Sequence, residues 1–176
     1  MIAQRIGDAL RVRSLAVDVK AINDVADVDN YQAFVIGGSV YFGSWLKEVT
    51  AFLQHYQATL AMHPVWLFSS GPLGTHATDA KGCDLRQASV PKELESVAKA
   101  VHARDHRVFF GALDHTTFGV CERLLWMLSA SRSLLIEGDF RDWSGIEVWA
   151  TEIANELQRD RATMSASLAA PTPSEP

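Results

Sequence analysis

The chain has 176 residues, 48% of them hydrophobic and 21% charged, with a formal net charge of -5. That size and makeup suit one globular domain with its own core and exclude a disordered or fibrous chain, while the acidic balance, with no basic stripe, argues against nucleic acid as a partner. Cys83 and Cys121 have neither metal-ligand spacing nor a second pair to build a disulfide framework, so they are expected to be packing residues in a reducing compartment.

The amino terminus shows no basic region followed by an apolar run of signal-peptide length, and no segment reaches the roughly 20 apolar residues of a membrane span. A cytoplasmic location is expected. Ile2, Ile6, Ala9 and Leu10 stand at helical spacing from the first residue onward, with no capping residue before them. Next, Leu15, Val17 and Val19 alternate with Ala16, Asp18 and Lys20, the period of a strand with one better covered face.

Three short runs follow that are apolar throughout: Ala33 to Gly38, Val65 to Ser69 and Val108 to Ala112. Buried parallel strands read this way. Between them lie amphipathic stretches, one with Trp45, Leu46, Val49, Phe52, Leu53 and Tyr56 on a face, another with Leu94, Val97, Ala98 and Val101. Asp142 is placed to cap a last helix carrying Ile146, Trp149, Ala150, Ile153 and Leu157. Strands alternating with helices predict an α/β doubly wound parallel sheet over residues 1–160. From Arg161 the composition turns to Ala, Ser, Thr and Pro, which predicts a disordered tail over 161–176.

In open α/β sheets ligands bind beyond the carboxyl ends of the strands. Two of those loops carry candidate site residues. The first reads Ser39, Val40, Tyr41, Phe42, Gly43, Ser44 and Trp45, aromatic rings among small residues, which suits close approach to a flat ring or, equally, the capping of a sheet where a helix begins. The second reads Ser70, Gly71, Pro72, Leu73 and Gly74. Together they are expected to wall a slot for a planar heterocycle. Gly37-Gly38 lacks the later glycine of a dinucleotide fingerprint, no Walker-type lysine is present, and Ser70 lacks the glycine a nucleophile elbow needs two positions earlier. His102 and His106, four apart with no third ligand in view, are expected to be solvated residues near a helix end rather than a metal site.

The succession AFVIGGSVYFGSWLKEV, PVWLFSSGPLG, RVFFGALD and GDFRDWSGIEVWATEIA resembles the flavodoxin-like proteins of the menaquinone-dependent protoporphyrinogen oxidase branch, over about residues 1 to 158. That resemblance implies a five-stranded parallel sheet of order 2-1-3-4-5 and FMN as cofactor. The flavin would be flanked by Ser39 to Trp45 and by Ser70 to Gly74, with Asp114 as a further contact. It also implies that Met1 falls inside the first helix, so that the first strand and the Ser/Thr-rich phosphate loop are lacking in this chain. The native product is then expected to start upstream, or the chain to be a degenerate paralogue that binds flavin weakly.

The implied function is an FMN-dependent oxidoreductase of the protoporphyrinogen dehydrogenase type, in heme biosynthesis, passing electrons from a reduced porphyrinogen to menaquinone or a similar quinone. No catalytic triad or acid/base pair is evident, and a cofactor that performs the redox chemistry needs none. Two alternatives stay open: a flavodoxin-type electron carrier without its own substrate, and a flavin-free degenerate paralogue. The segment from Asp114 to Gly138 is longer than a minimal strand-to-helix connection and reads as an insertion. Within it, Phe118, Cys121, Leu124, Leu125 and Leu128 form one stripe, with Trp126 and Met127 off it. Residues 116–129 are thus a candidate for peripheral membrane contact or for docking a porphyrin, against the alternative that they pack on the sheet or on a second subunit.

Overall fold

The computed structural model describes residues 1–41, 43–71, 85–113 and 138–169. The chain divides into two compact units, Met1–Val19 with Trp143–Pro176, and Lys20–Asp142.

In the first unit, α1 (Ile2–Val12) and α6 (Trp143–Ala169) pack together. The stripe expected from the sequence is the buried one: Ile2, Ile6 and Leu10 on α1, and Ile146, Trp149, Ala150 and Ile153 on α6. Burying such a side chain contributes about 1.5 to 3 kcal/mol, so the helix pair owes far more to this stripe than to its exposed ion pair, Arg5 to Glu147 at 3.0 Å. Helix α6 starts directly after Asp142 and continues through Ala169, past Arg161, where composition predicted a disordered tail. Alanine, methionine and arginine in that stretch are good helix formers, and a helix already nucleated extends at little cost.

Ser14, at φ 62, turns the chain out of α1 into an extended stretch. There Leu15, Val17 and Val19 are half-buried and Ala16, Asp18 and Lys20 exposed, the alternation the sequence shows. Yet no ladder forms among the described residues, so the strand expected here is corrected to extended chain. Alternation reports which side chains are covered, whereas a strand also needs an edge to bond to. The carbonyl of Val17 accepts from Arg11 Nη2 at 2.8 Å instead.

The second unit is built on β1 (Phe34–Tyr41), β2 (Ser44–Trp45), β3 (Val65–Ser70) and β4 (Asp105–Phe109), in the order β2-β1-β3-β4. β1, β3 and β4 are parallel, and β2 folds back antiparallel on β1. The run β1-β3-β4 reproduces neighbours 3-4-5 of the expected order, and the mixed α/β, parallel-dominated class stands. The remainder of that order is not matched, because β1 is flanked by the short β2 rather than by a parallel strand.

One face of the sheet, with Phe34, Ile36, Val65 and Leu67, carries the core together with Val49 and Leu53 of α2 (Lys47–His55), Leu60 of α3 (Gln57–Leu60), and Val101. Leu94, Val97 and Ala98 of α5 (Leu94–Ala100) pack against it. Trp66 and Phe68, on the other face of β3, are buried as well. That two-sided burial is why β3 reads as an unbroken apolar run.

Two boundaries differ from expectation. The third apolar run, Val108 to Ala112, marks only the end of a strand that begins earlier, at Asp105. Among the described residues β4 is an edge of this sheet, and it tolerates the solvated Asp105 to Arg107 pair, 2.9 Å long, that a purely apolar reading passes over. His106 therefore lies on a strand, while His102, at φ 52, sits in the turn after α5, and their spacing in sequence has no helical meaning.

After β4, β5 (Ala112–Leu113) pairs antiparallel with β6 (Gly138–Asp139). These two short strands bracket the stretch expected to be an insertion. Residues 114–137, with the apolar stripe expected on them, lie outside the described residues.

Candidate functional site

Parallel pairing places the carboxyl ends of the strands side by side. Ser39 stands opposite Ser70 in the β1–β3 register, and Ser70 opposite Phe109 in the β3–β4 register. The first residues of the two loops singled out in the sequence, Ser39 and Ser70, are therefore neighbours at the carboxyl end of the sheet.

Beyond Ser39 the chain reverses, with Val40 opposite Trp45 and Tyr41 opposite Ser44. Gly43 takes φ 75, a left-handed conformation that lets so short a reversal close without a Cβ clash. Side chains directly opposite in a ladder share a face. Val40 packs against the core cluster, so Trp45 follows it inward and is 4% exposed, whereas Tyr41 is 56% exposed. Trp45 was expected both on the α2 face and as a wall of the ring slot; the structure places it in β2, beneath the hairpin, with its ring 6.0 Å from that of His106. Its indole N–H is buried without an acceptor among the described residues.

His106 also meets Ser69, whose hydroxyl shares a 2.8 Å hydrogen bond with His106 Nε2. Burial pushes the imidazole below its ordinary pKa, and the Asp105 carboxylate pulls it partly back. At neutral pH the ring is uncharged, which suits a buried hydroxyl partner. Ser69 is 0% exposed, so no substrate reaches it, and the pair is structural rather than nucleophilic.

From Arg86 of α4 (Leu85–Ala88) to Glu93, the chain contacts the ends of the strands in turn. The Arg86 guanidinium lies 4.9 Å from the ring centroid of Phe110, after β4. A Cβ on Gly71, after β3, would come within 2.6 Å of Ser89 Cβ. At the β1 hairpin, the Lys92 N–H donates to the Gly43 carbonyl at 3.0 Å, and Glu93 Oε1 accepts from the Trp45 N–H at 2.7 Å. Gly71 itself donates to the Phe109 carbonyl at 3.1 Å.

Of the residues expected to hold a flavin, Ser39, Val40, Tyr41, Gly43, Ser44, Ser70 and Gly71 gather at this end of the sheet. Trp45 is in the core, and Phe42, Pro72, Leu73, Gly74 and Asp114 lie outside the described residues. The half-buried serines Ser39 and Ser70, opposite one another, and the exposed ring of Tyr41 fit the polar edge and the face of a planar heterocycle. Sequence reasoning missed the Ser69–His106 pair and the Arg86–Glu93 segment. His106 stands two residues before Val108 on β4, a period-2 hint that the two share a face, but nothing in the order of residues pairs Glu93 with Trp45.

Among the described residues, no group of three or more His, Cys, Asp or Glu is placed to hold a metal ion, and no helix is long and apolar enough to cross a membrane. No match was found among curated proteins or among solved structures. The model of one family, the flavodoxin domain, matches residues 1–132. By that match, and with a sheet whose parallel strands bring Ser39 and Ser70 side by side, the chain belongs to the flavodoxin-domain family.

Proposed function

We propose that the chain binds FMN across the carboxyl ends of β1 and β3 and works as a flavin-dependent oxidoreductase of the protoporphyrinogen dehydrogenase type. In this reading it takes electrons from a reduced organic substrate and passes them to a quinone. The observation that carries the flavin assignment is the convergence of Ser39–Tyr41 and Ser70–Gly71 at one end of a flavodoxin-domain sheet. The substrate and acceptor rest on the resemblance of the four sequence segments.

FMN, when bound, supplies the electron-transfer chemistry that no side chain here provides. The chain's own part is to orient and cover it. When FMN is bound, Tyr41 would lie against the ring and Ser39 and Ser70 would offer hydroxyls to its edge, with the apolar core beneath keeping that side dry. Peripheral membrane contact or porphyrin docking through residues 116–129 belongs to the same proposal.

The test is FMN titration of the purified chain, followed by quinone reduction with protoporphyrinogen as donor. Quenching of flavin fluorescence that is weakened by Tyr41→Ala supports the site, and no flavin uptake by the chain would refute the proposal. The net charge of -5 favours a second reading, an electron carrier serving protein partners. Flavin uptake with no turnover of a small reductant, but rapid exchange with a redox protein, would select it.

A further inference from the structure

Tyr41, the aromatic ring of the proposed site, is 56% exposed, so its direction is set by the backbone beneath it rather than by packing around it. That backbone is a hairpin whose ladder has two residue pairs, Val40 with Trp45 and Tyr41 with Ser44. So short a ladder is marginal on its own. Two consecutive residues far along the chain brace it. The Lys92 N–H donates to the Gly43 carbonyl at 3.0 Å, and Glu93 Oε1 accepts from the Trp45 N–H at 2.7 Å. These two points flank Ser44, the ladder partner of Tyr41. We infer that Glu93 is a positioning residue for the ligand, whose carboxylate fixes the pose of the hairpin and, through it, the Tyr41 ring. The inference rests on the proposed flavin site.

Glu93 suits this role because it is itself fixed. Its carbonyl accepts from the Val97 N–H at 3.0 Å and from Ser96 Oγ at 2.8 Å, and the Pro91 carbonyl accepts from the Leu94 N–H at 3.0 Å. Pro91 is buried, and Leu94, Val97 and Ala98 of α5 pack against the core cluster. The brace thus ties the hairpin to the start of a helix seated on the same core. A carboxylate bond to a backbone N–H is about twice as strong as a neutral one, and 2.7 Å is at the short end of the range.

Burial and brace do different work. The indole of Trp45, 4% exposed, keeps β2 against the core, but a single buried point does not set how the strand is rolled about it. The Glu93 bond to the backbone of the same residue, with the Lys92 bond two residues earlier, sets that roll. A side chain held in its binding pose before the ligand arrives lowers the ordering cost of binding.

A double-mutant cycle on FMN affinity tests this, with every variant first shown to be folded by circular dichroism. Glu93→Ala should weaken FMN binding about tenfold in the chain with Tyr41, and less than about twofold in the Tyr41→Ala chain, because a residue that acts through another has no effect once the other is gone. Glu93→Gln, which keeps an acceptor oxygen, should bind within about threefold of the unaltered chain. An equal loss in the two backgrounds, or no loss where Tyr41 is present, overturns the inference. If Glu93→Ala does not fold, Glu93→Gln takes its place in the cycle: a loss of about threefold with Tyr41 and none without supports the inference, and equal effects overturn it.

If the unaltered chain takes up no FMN, the flavin reading fails, and the brace is judged by itself from amide hydrogen exchange. The Tyr41, Ser44 and Trp45 amides should then exchange about tenfold or more faster in Glu93→Ala than in the unaltered chain, with the amide of Leu67, buried in β3, unchanged. Equal rates at the hairpin overturn the brace. Faster exchange at Leu67 as well overturns it too, because the whole sheet has then loosened.

Discussion

Replacing His106 with Phe keeps a ring of similar bulk beside Trp45, 6.0 Å away, but leaves the Ser69 hydroxyl, fully buried, without its partner at 2.8 Å. An unsatisfied buried hydroxyl costs about 1 to 3 kcal/mol, whereas replacing both partners by apolar groups is nearly neutral. His106→Phe alone should therefore destabilise the fold by about 1 to 3 kcal/mol at pH 8, and the double variant His106→Phe/Ser69→Ala should recover most of that loss. Ser69→Ala alone should cost less, because the half-buried imidazole can turn to water.

Thermal unfolding followed by far-ultraviolet circular dichroism reads all four proteins of the cycle, and each kcal/mol should move the melting temperature by about 2 to 4 °C. If the double variant is destabilised by the sum of the two single effects, the hydrogen bond contributes no coupling. The account of Ser69 as a structural residue is then wrong.

The same pair sets a pH dependence. Because burial lowers the His106 pKa in the folded chain, its contribution is fully present above the ordinary histidine value of 6.5 and is lost as pH falls through the folded value. Melting temperature should thus fall on acidification below pH 6.5, and His106→Phe should flatten that part of the profile; an unflattened profile assigns the effect elsewhere. Leu53→Ala, at a 1% exposed position of the core cluster, should cost about 2 to 5 kcal/mol in urea unfolding, and a loss under 1 kcal/mol would mean the cluster repacks. Gly43→Ala must hold a side chain at φ 75 and against Lys92, and should cost about 1 to 2 kcal/mol; unchanged stability would show that the hairpin adopts another turn.

What the order of residues determined was set by burial and by chain reversal. Apolar runs buried on both faces had to be interior parallel strands, and β1 and β3 lie where Ala33 to Gly38 and Val65 to Ser69 placed them. The stripes Ile2-Ile6-Leu10 and Ile146-Trp149-Ile153 had to be helix faces, since no other geometry covers residues at that spacing. The convergence of the Ser39 and Ser70 loops followed from parallel pairing alone.

Tertiary structure decided the rest, because it depends on partners distant in sequence. Leu15–Val19 alternates like a strand, yet pairing needs an available edge, which periodicity does not encode. Trp45 reads as a ring-binding aromatic, but its face was chosen by Val40 across a two-residue ladder, and that sent it into the core. Ser69 and His106 met through register, and Glu93 reached Trp45 across a turn and a strand end. Local sequence specifies which surfaces must be covered; only the three-dimensional arrangement specifies by what.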